Sequence, residues 1–234
     1  MLKLYYVPAE TDPVGGARNA AKIEIALSEL GEQRERVDLD REKDLRPKDS
    51  WYRKTINPNG LVPAIDDDGF VLWDSVAILR YLGDTRGKIF PEDPREKALV
   101  QQWLSWEAED YNSDMINLFY LNATEAATDP TAFPTVIVGT KDSPEAQKAA
   151  RQKYAYRMEM LERELTENPF IAGEFSAADI ALACHVVLSP LMDFDLRPYA
   201  HVRDWLHRLS ERRSFQADRI FSNDFQAGRK TGLL

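Results

Sequence analysis

Cysteine is almost absent from this sequence of 234 residues. Because Cys184 is the only one, the chain cannot form an intrachain disulfide, a CxxC redox pair or a metal site built from several cysteines. Its place in an apolar run, residues 177–188, predicts a buried and inert thiol. The three histidines show no spacing typical of metal ligands, so the sequence predicts no metal site and fits a reducing compartment.

A surplus of basic residues and a long apolar run are also missing. With 30 Lys and Arg against 39 Asp and Glu, the net charge is −9, so nothing favours general binding to nucleic acid or to an anionic membrane. The most apolar window, residues 177–188, is shorter than the roughly 20 residues of a membrane span. The first eight residues lack the pattern of a signal peptide. We therefore expect a soluble, cytoplasmic protein.

The spacing of apolar residues divides the chain into two parts. Over about the first 83 residues the predicted order is β-α-β-α-β-β-α, the plan of a thioredoxin-like sheet with helices on both faces. The predicted segments are strands over 2–7, 37–39, 61–65 and 70–72, helices over 18–30 and from Asp74 onward, and an irregular helix within 41–54.

Beyond the last predicted strand, every segment shows helical periodicity. The prolines, glycine and charges of the stretch after Thr85 are typical of a linker. Helices are predicted over 93–122, 144–167, 176–190 and 199–212. We therefore expect an α/β thioredoxin-like domain over 1–85, a linker over 86–94 and an all-α helical domain over 95–234.

The segment Asn57-Pro58-Asn59-Gly60-Leu61-Val62-Pro63-Ala64-Ile65 places a proline inside a β-rich run. Such a proline cannot donate to a central ladder and is often cis. A cis Val62–Pro63 bond would turn the main-chain N–H and C=O of Val62 outward, where an extended peptide could pair with them. A proline in an ordinary edge strand explains the same pattern about equally well.

Nine residues after Ile65, Asp74 and Ser75 open an apolar-periodic helix. Free N–H groups, a hydroxyl and the positive end of the helix dipole meet there, as in a site for a carboxylate. A simple N-cap role for either residue is the alternative. The spacing from the proline segment puts both features on one edge of the sheet.

NPNGLVPAI followed by DSVAILRYL resembles the glutathione-binding half of the soluble, bacterial-type glutathione transferases, and the likeness covers most of the chain in plan. It implies that glutathione is the cofactor and that Val62, beside Pro63, pairs with its cysteinyl backbone. It also implies that Ser75 holds the γ-glutamyl carboxylate, with Asp74 near the amino group. Leu61 departs from the polar residue often found before Val62.

The same resemblance implies further contacts and an assembly. Lys48 or Lys54 is a candidate for the glycyl carboxylate of glutathione, although lysines in so polar a stretch are usually only solvated. The family resemblance also implies a homodimer, in which the N-terminal half of one subunit packs on the helical half of the other. Phe70 and Trp73 are candidate contributors.

The group that stabilises the glutathione thiolate is harder to assign, because the loop from Pro8 to Asn19 contains no Ser or Cys. Alignment of the first helix from its C-terminal end makes Asn19 the first candidate, with Arg18 adding positive charge. An N-cap role for Asn19 is the alternative. Alignment from the strand makes Tyr6 the second candidate, and Thr11 is the third.

The second substrate is expected beside the long helix that begins near Asp93. Tyr111, Met115 and Phe119 offer aromatic and soft apolar surface there, part of it core. The leading hypothesis is an enzyme that adds the glutathione thiolate to a small hydrophobic or aromatic electrophile, or uses it to cleave one, with an aryl ether among the alternatives. A binding or assembly module of the same fold without catalysis is the runner-up.

Overall fold

The computed structural model describes residues 1–8, 16–122 and 143–234. A four-stranded sheet with the order β2-β1-β3-β4 lies in the N-terminal part. The strands are β1 Leu2–Tyr6, β2 Arg34–Asp38, β3 Ala64–Asp67 and β4 Phe70–Trp73. β1 and β2 are parallel, whereas β3 is antiparallel to both β1 and β4. The predicted thioredoxin-like sheet is thus confirmed.

Helices cover both faces of this sheet because successive strand residues point to opposite sides. The helices are α1 Gly16–Leu30, α2 Trp51–Thr55 and α3 Ser75–Arg86, with a π-helical turn at Arg41–Leu45. Leu2 and Leu4 join the main core with α1 and α3. Tyr5 and Val7 point the other way, into a smaller core with Tyr52 of α2.

The second part is helical, as predicted. Its helices are α4 Pro94–Trp106, α5 Asn112–Asn122, α6 Pro144–Glu167, α7 Ala177–Val186, α8 Ala200–Ser210, α9 Arg213–Ala217 and α10 Arg219–Thr231. A π-helical turn, Glu107–Tyr111, joins α4 to α5, and a 3-10 turn, Ser189–Met192, follows α7. Every residue of α7 is buried. No helix in the described ranges is both long and apolar enough to cross a membrane.

A reciprocal capping box holds the start of α7. The Ser176 hydroxyl accepts from the Ala178 N–H, and the Asp179 carboxylate accepts from the Ser176 N–H at 2.9 Å. The other oxygen of Asp179 accepts from the Ile171 N–H at 3.0 Å and from the Trp205 indole at 2.8 Å. Burial raises the pKa of Asp179 to about 6.

Several predicted boundaries were wrong. β3 begins at Ala64 instead of residue 61, because the cis Val62–Pro63 bond and the missing proline N–H delay pairing with β1. The helix predicted over 93–122 contains the π-helical turn, and the helix predicted to reach 190 ends at Val186, shortly before Pro190. α9 and α10 were not predicted, since apolar residues are sparse in residues 213–231.

Candidate active site

Three chain segments reach the same end of the sheet. Tyr5 pairs with Ala64, and Ala64 pairs with Trp73, both in antiparallel register. The residues after β1, before β3 and after β4 therefore leave the sheet at one end. α1 connects the parallel strands β1 and β2, so it starts at this end as well. This end of the sheet consequently holds Val62, Ser75 and the first turn of α1.

The backbone before β3 is held in a fixed geometry. The Val62–Pro63 peptide is cis. The Tyr52 hydroxyl and the Asn57 amide both donate to the Leu61 carbonyl at 2.8 Å, which fixes the peptide just before Val62. In the described part of the chain, neither the N–H nor the C=O of Val62 has a hydrogen-bond partner. Both groups are therefore available to a ligand.

A tight turn at residues 57–60 precedes Val62 and leads the chain into β3. The Gly60 N–H donates to the Asn57 carbonyl at 2.9 Å, and Gly60 has a positive φ of +64°. A Cβ at Gly60 would collide with the Leu45 carbonyl oxygen and the Arg53 side chain. Arg53 itself donates to the Leu45 and Pro58 carbonyls at 2.5 and 3.1 Å. Glycine at this position is thus required both by backbone conformation and by space.

The start of α3 combines a cap with a strained residue. Asp74 is the N-cap, and its Oδ1 accepts from the Val76 and Ala77 N–H groups, each at 3.0 Å. Its φ of +78° is uncommon for a residue with a Cβ, and such strain concentrates at functional sites. Ser75 is the first helical residue and is half-buried. Its hydroxyl has no partner in the described part of the chain, so it is free to donate to an anion.

Lys48 and Lys54, the candidates for the glycyl carboxylate, are both exposed. They flank Trp51, whose indole N–H donates to Asp44 at 2.8 Å and whose ring lies 6.2 Å from that of Tyr5. Neither ammonium group has a hydrogen-bond partner among the described residues. Either ammonium can therefore follow a ligand without breaking an ion pair.

Asn19 is the fourth residue of α1, which begins at Gly16. The alternative role of N-cap does not apply to it, because an N-cap precedes the first helical residue. The side chain is half-buried, and no hydrogen bond within the described residues occupies its amide. Arg18, which was expected to add positive charge here, is paired with Asp224 on α10. Its guanidinium donates to both carboxylate oxygens, at 3.1 and 3.3 Å.

Tyr6, the second candidate, faces away from Val62. Its neighbour Tyr5 lies in the small core with Val62, and adjacent strand residues point to opposite faces. Burial, together with a hydrogen bond to Asp38, raises the pKa of Tyr6 to about 12. The phenol proton is therefore already directed at a carboxylate. Thr11, the third candidate, lies outside the described residues.

A cavity of about 330 Å³ opens beside Tyr6. Ala20 and Ala21 of α1 form part of its wall, directly after Asn19 in the chain. The remaining wall comes from the next turn of α1, from the end of β1, from β2 and from the junction of α9 and α10, namely Glu24, Pro8, Arg36, Ala217, Asp218, Arg219 and Ile220. Apolar and charged groups thus share this cavity next to the start of α1.

The residues predicted to bind the second substrate lie deeper than expected. Tyr111 is fully buried, and its hydroxyl shares a 2.6 Å hydrogen bond with that of Tyr154 on α6. Met115 is buried in the same core, and Phe119 is half-buried against it. Of these three predicted residues, only Phe119 can contact a substrate directly in this conformation.

Sequence reasoning missed the charged groups behind α1. Lys22 lies one turn after Asn19 and is buried against Glu107 of the π-helical turn and His185 of α7. The spacing of Asn19 and Lys22 along α1 was visible, but Glu107 and His185 lie 85 and 163 positions away in the sequence. Only the packing of α1 against the helical part brings them together.

The fold and the site define a protein in which a thioredoxin-like half is fused to a helical half. The glutathione S-transferase N-terminal domain family matches residues 18–85, and the glutathione S-transferase C-terminal domain family matches residues 117–213. The chain therefore belongs to the glutathione S-transferase family.

Individual relatives agree with this assignment. The chain is 30% identical over 160 residues to glutathione S-transferase D7 of Anopheles gambiae, a match that covers 67% of this chain and 66% of that protein. The match thus spans just under two thirds of the curated relative.

Two solved structures share the fold over nearly the whole chain. One is a ternary complex of BphK, a bacterial glutathione S-transferase, with a TM-score of 0.70, 25% identity and coverage of 97% of this chain and 99% of that one. The other is a sphingomonad glutathione S-transferase complexed with glutathione, with a TM-score of 0.70, 23% identity and coverage of 97% and 98%. The second likeness, at this identity, bears on the fold alone.

Proposed function

We propose that this protein is a glutathione transferase that binds glutathione along Val62, Asp74 and Ser75 and transfers its thiolate to a small electrophile. The unpaired N–H and C=O of Val62 carry the proposal, because they lie at the same sheet end as the start of α3. An extended peptide pairs there through its backbone, and its carboxylate meets the Ser75 hydroxyl and the positive helix end.

The residues present fit glutathione group by group. Val62 offers one donor and one acceptor to the cysteinyl unit, because neither its N–H nor its C=O has a partner among the described residues. Ser75 donates to the γ-glutamyl carboxylate. Asp74 uses Oδ1 as a helix cap and keeps Oδ2 for the γ-glutamyl ammonium. Lys48 is the proposed partner for the glycyl carboxylate, with Lys54 as the alternative.

Thiolate formation is assigned to Asn19. A free thiol has a pKa of about 8.5, so ionisation at neutral pH requires the protein to lower this value by roughly two units. A hydrogen bond from the Asn19 amide and the positive end of α1 both favour the thiolate. Tyr6 is less suited, since its proton is held by Asp38 and its pKa is raised to about 12.

The second substrate is proposed to be a small hydrophobic or aromatic electrophile, with conjugation and reductive aryl-ether cleavage as the candidate reactions. The cavity beside Ala20 and Tyr6 supports this, because it adjoins the residue after Asn19 and has a partly apolar wall. Phe119 adds apolar surface on the helical side. We further propose a cytoplasmic homodimer with a glutathione-binding domain over 1–85 and a helical domain over 95–234.

One observation favours a second candidate function. Tyr6, the phenol near the end of β1 that points toward α1, is hydrogen-bonded to Asp38. The loop from Pro8 to Asn19 contains neither Ser nor Cys. A glutathione-binding module without catalysis has these properties.

Retention on immobilised glutathione, followed by an ultraviolet thiolate titration of the complex, separates the two functions. An enzyme is retained and shows bound thiolate at neutral pH. Retention without thiolate supports the silent module, and failure to bind excludes both.

A further inference from the structure

A buried ion cluster joins the two halves of the chain behind the first turn of α1. Lys22 Nζ donates to Glu107 Oε1 at 2.9 Å, and His185 Nδ1 lies 2.7 Å from the same oxygen. The side chains are 1%, 1% and 3% exposed. The His185 contact is close but lacks the alignment of an ordinary hydrogen bond. Three elements, α1, the π-helical turn and α7, thus meet at one carboxylate oxygen.

The charge state of the cluster follows from its surroundings. Burial opposes ionisation of Glu107, but the Lys22 ammonium, joined in acid by protonated His185, prevails and lowers the pKa of Glu107 to about 2. Burial and the neighbouring Lys22 charge lower the pKa of His185, so this ring is neutral at neutral pH. The cluster therefore holds one positive and one negative charge, and its net charge is zero.

Lys22 and Asn19 are neighbours on one face of α1. Residues three positions apart on a helix have Cβ atoms about 5–6 Å from each other. The cluster consequently lies directly behind the residue assigned to the glutathione sulfur. Of the other groups that face it, Arg18 is paired with Asp224 of α10, and burial raises the pKa of the Cys184 thiol, which stays neutral.

We propose that Lys22 is an electrostatic positioning residue for the thiolate, because it neutralises the charge of Glu107, which is buried behind Asn19. Glu107 and His185 hold α1 against the helical half. This inference rests on the proposed function. Burying a lysine and a carboxylate is costly, and apolar packing would join the two halves as well.

Removal of Lys22 should leave one uncompensated negative charge behind the thiolate as long as Glu107 stays ionised and His185 stays neutral, a condition that NMR of the His185 ring and the Glu107 carboxyl in the variant checks. A unit charge about 10 Å away, at an effective dielectric constant of about 20, shifts a pKa by about one unit. Lys22→Met should therefore raise the thiol pKa of bound glutathione by about one unit. Glutathione affinity, measured well below that pKa, should change less than about threefold, because the tripeptide is anchored at Val62 and Ser75.

The deciding variant is the double substitution Lys22→Met with Glu107→Gln. It returns the net charge of the cluster to zero without restoring the ion pair, so the thiol pKa should return to the wild-type value. A contact that only holds α1 in place would not be restored by a second substitution. Because charge-free replacements of buried ion pairs are often well tolerated, the double variant should fold even where the single variant does not.

The structure offers a matched control on the same helix. Glu29 of α1 also binds the helical half, through Arg212 at 2.8 Å, but lies ten residues from Asn19, about 15 Å along the helix. Glu29→Gln leaves the partly exposed Arg212 without its partner, so solvent and salt screen the extra positive charge, and any change in the thiol pKa should be small and downward. An equal rise in Glu29→Gln would overturn the proposal, as would an unchanged pKa in folded Lys22→Met or a raised pKa in the double variant.

The titration also separates this inference from the proposed function. Wild-type protein that forms no bound thiolate refutes the enzyme assignment itself. Wild-type protein that forms the thiolate, with a pKa insensitive to the charge of the cluster, refutes only the role of Lys22. If Lys22→Met does not fold, Glu107→Gln takes its place, and a thiol pKa equal to the wild-type value would again overturn the proposal.

Discussion

Ser75 and Asp74 are adjacent but meet different demands. Asp74 must adopt a positive φ and cap α3, whereas the Ser75 hydroxyl has no structural task within the described residues. We predict that Ser75→Ala weakens glutathione binding by about 1–3 kcal/mol, the cost of leaving a charged acceptor underpaired. Equilibrium dialysis or calorimetry measures the effect.

A control for Ser75→Ala is available at another helix start. Ser143 caps α6 by accepting from the Ala146 N–H at 3.2 Å, far along the chain from the proposed site. Ser143→Ala should reduce stability by about 0.5–2 kcal/mol and leave glutathione affinity unchanged. Equal affinity in the wild type and Ser75→Ala would remove Ser75 from the site.

In the proposed site, Asn19 contacts the reacting sulfur, whereas Val62, Asp74 and Ser75 anchor the tripeptide. Asn19→Ala should therefore lower kcat by about tenfold or more and change the glutathione KM little, as expected for an interaction made chiefly with the reacting state. The thiol pKa of bound glutathione should rise in parallel. Steady-state kinetics with a chromogenic electrophile and the thiolate titration test both effects.

Tyr6→Phe is the companion to Asn19→Ala. Since the Tyr6 hydroxyl bonds to Asp38, its removal should alter the thiol pKa little. A raised thiol pKa in Tyr6→Phe, with an unchanged one in Asn19→Ala, would reverse the two assignments. If neither variant moves it, main-chain N–H groups at the start of α1 become the donors to test.

At the scale of elements, the π-helical turn at Glu107–Tyr111 couples α4 to α1. Glu107 has a pKa of about 2 in the folded protein and an ordinary value of 4.5. Between these values the unfolded chain binds a proton that the folded protein does not, so stability falls as the pH is lowered from about 4.5 toward 2. The stabilisation by ionised Glu107 is thus present above pH 4.5 and lost in acid.

Glu107→Gln should weaken the dependence of folding stability on pH between about 4.5 and 2. The slope of unfolding free energy against pH should decrease by up to about 1.4 kcal/mol per pH unit within the window, the contribution of one proton. Urea unfolding at a series of pH values measures the slope. The same slope in both proteins would show that Glu107 is not the group that titrates.

The sequence predicts some helices of the second part accurately and misses others. α6 was predicted at its observed bounds, because a proline after a serine starts it and helical periodicity continues without a break. The capping box of α7 is also a local feature, because Ser176 and Asp179 lie three residues apart at the start of an apolar helix. α10 was missed, since its buried residues Phe221 and Phe225 are surrounded by polar ones, and the π-helical turn carries no local signal that distinguishes it from α-helix.

At the scale of the whole molecule, β4 presents apolar side chains to solvent. Phe70 is 50% exposed and Trp73 is 40% exposed. We predict a homodimer that covers them, with twice the chain mass of 26.8 kDa by sedimentation equilibrium at micromolar concentration. Phe70→Glu should shift the equilibrium to monomer, because a charge would be buried without a partner.

Leu191 provides the control for Phe70→Glu. It is 45% exposed in the 3-10 turn after α7 and is not among the residues predicted to contact the partner subunit. Leu191→Glu should leave the sedimentation mass unchanged. A wild-type mass equal to one chain would refute the dimer.

The sequence by itself determined the two-part architecture, the proline segment at Val62 and the helix start at Asp74 and Ser75. These features depend on local physics: apolar periodicity, the missing N–H of proline and the free N–H groups of a helix start act within a few residues. Only the tertiary structure decided that Tyr111 and Met115 lie in the core, that Arg18 pairs with Asp224, and that Lys22 meets Glu107 and His185. Burial and ion pairing depend on residues that are distant in sequence, so no local pattern specifies them.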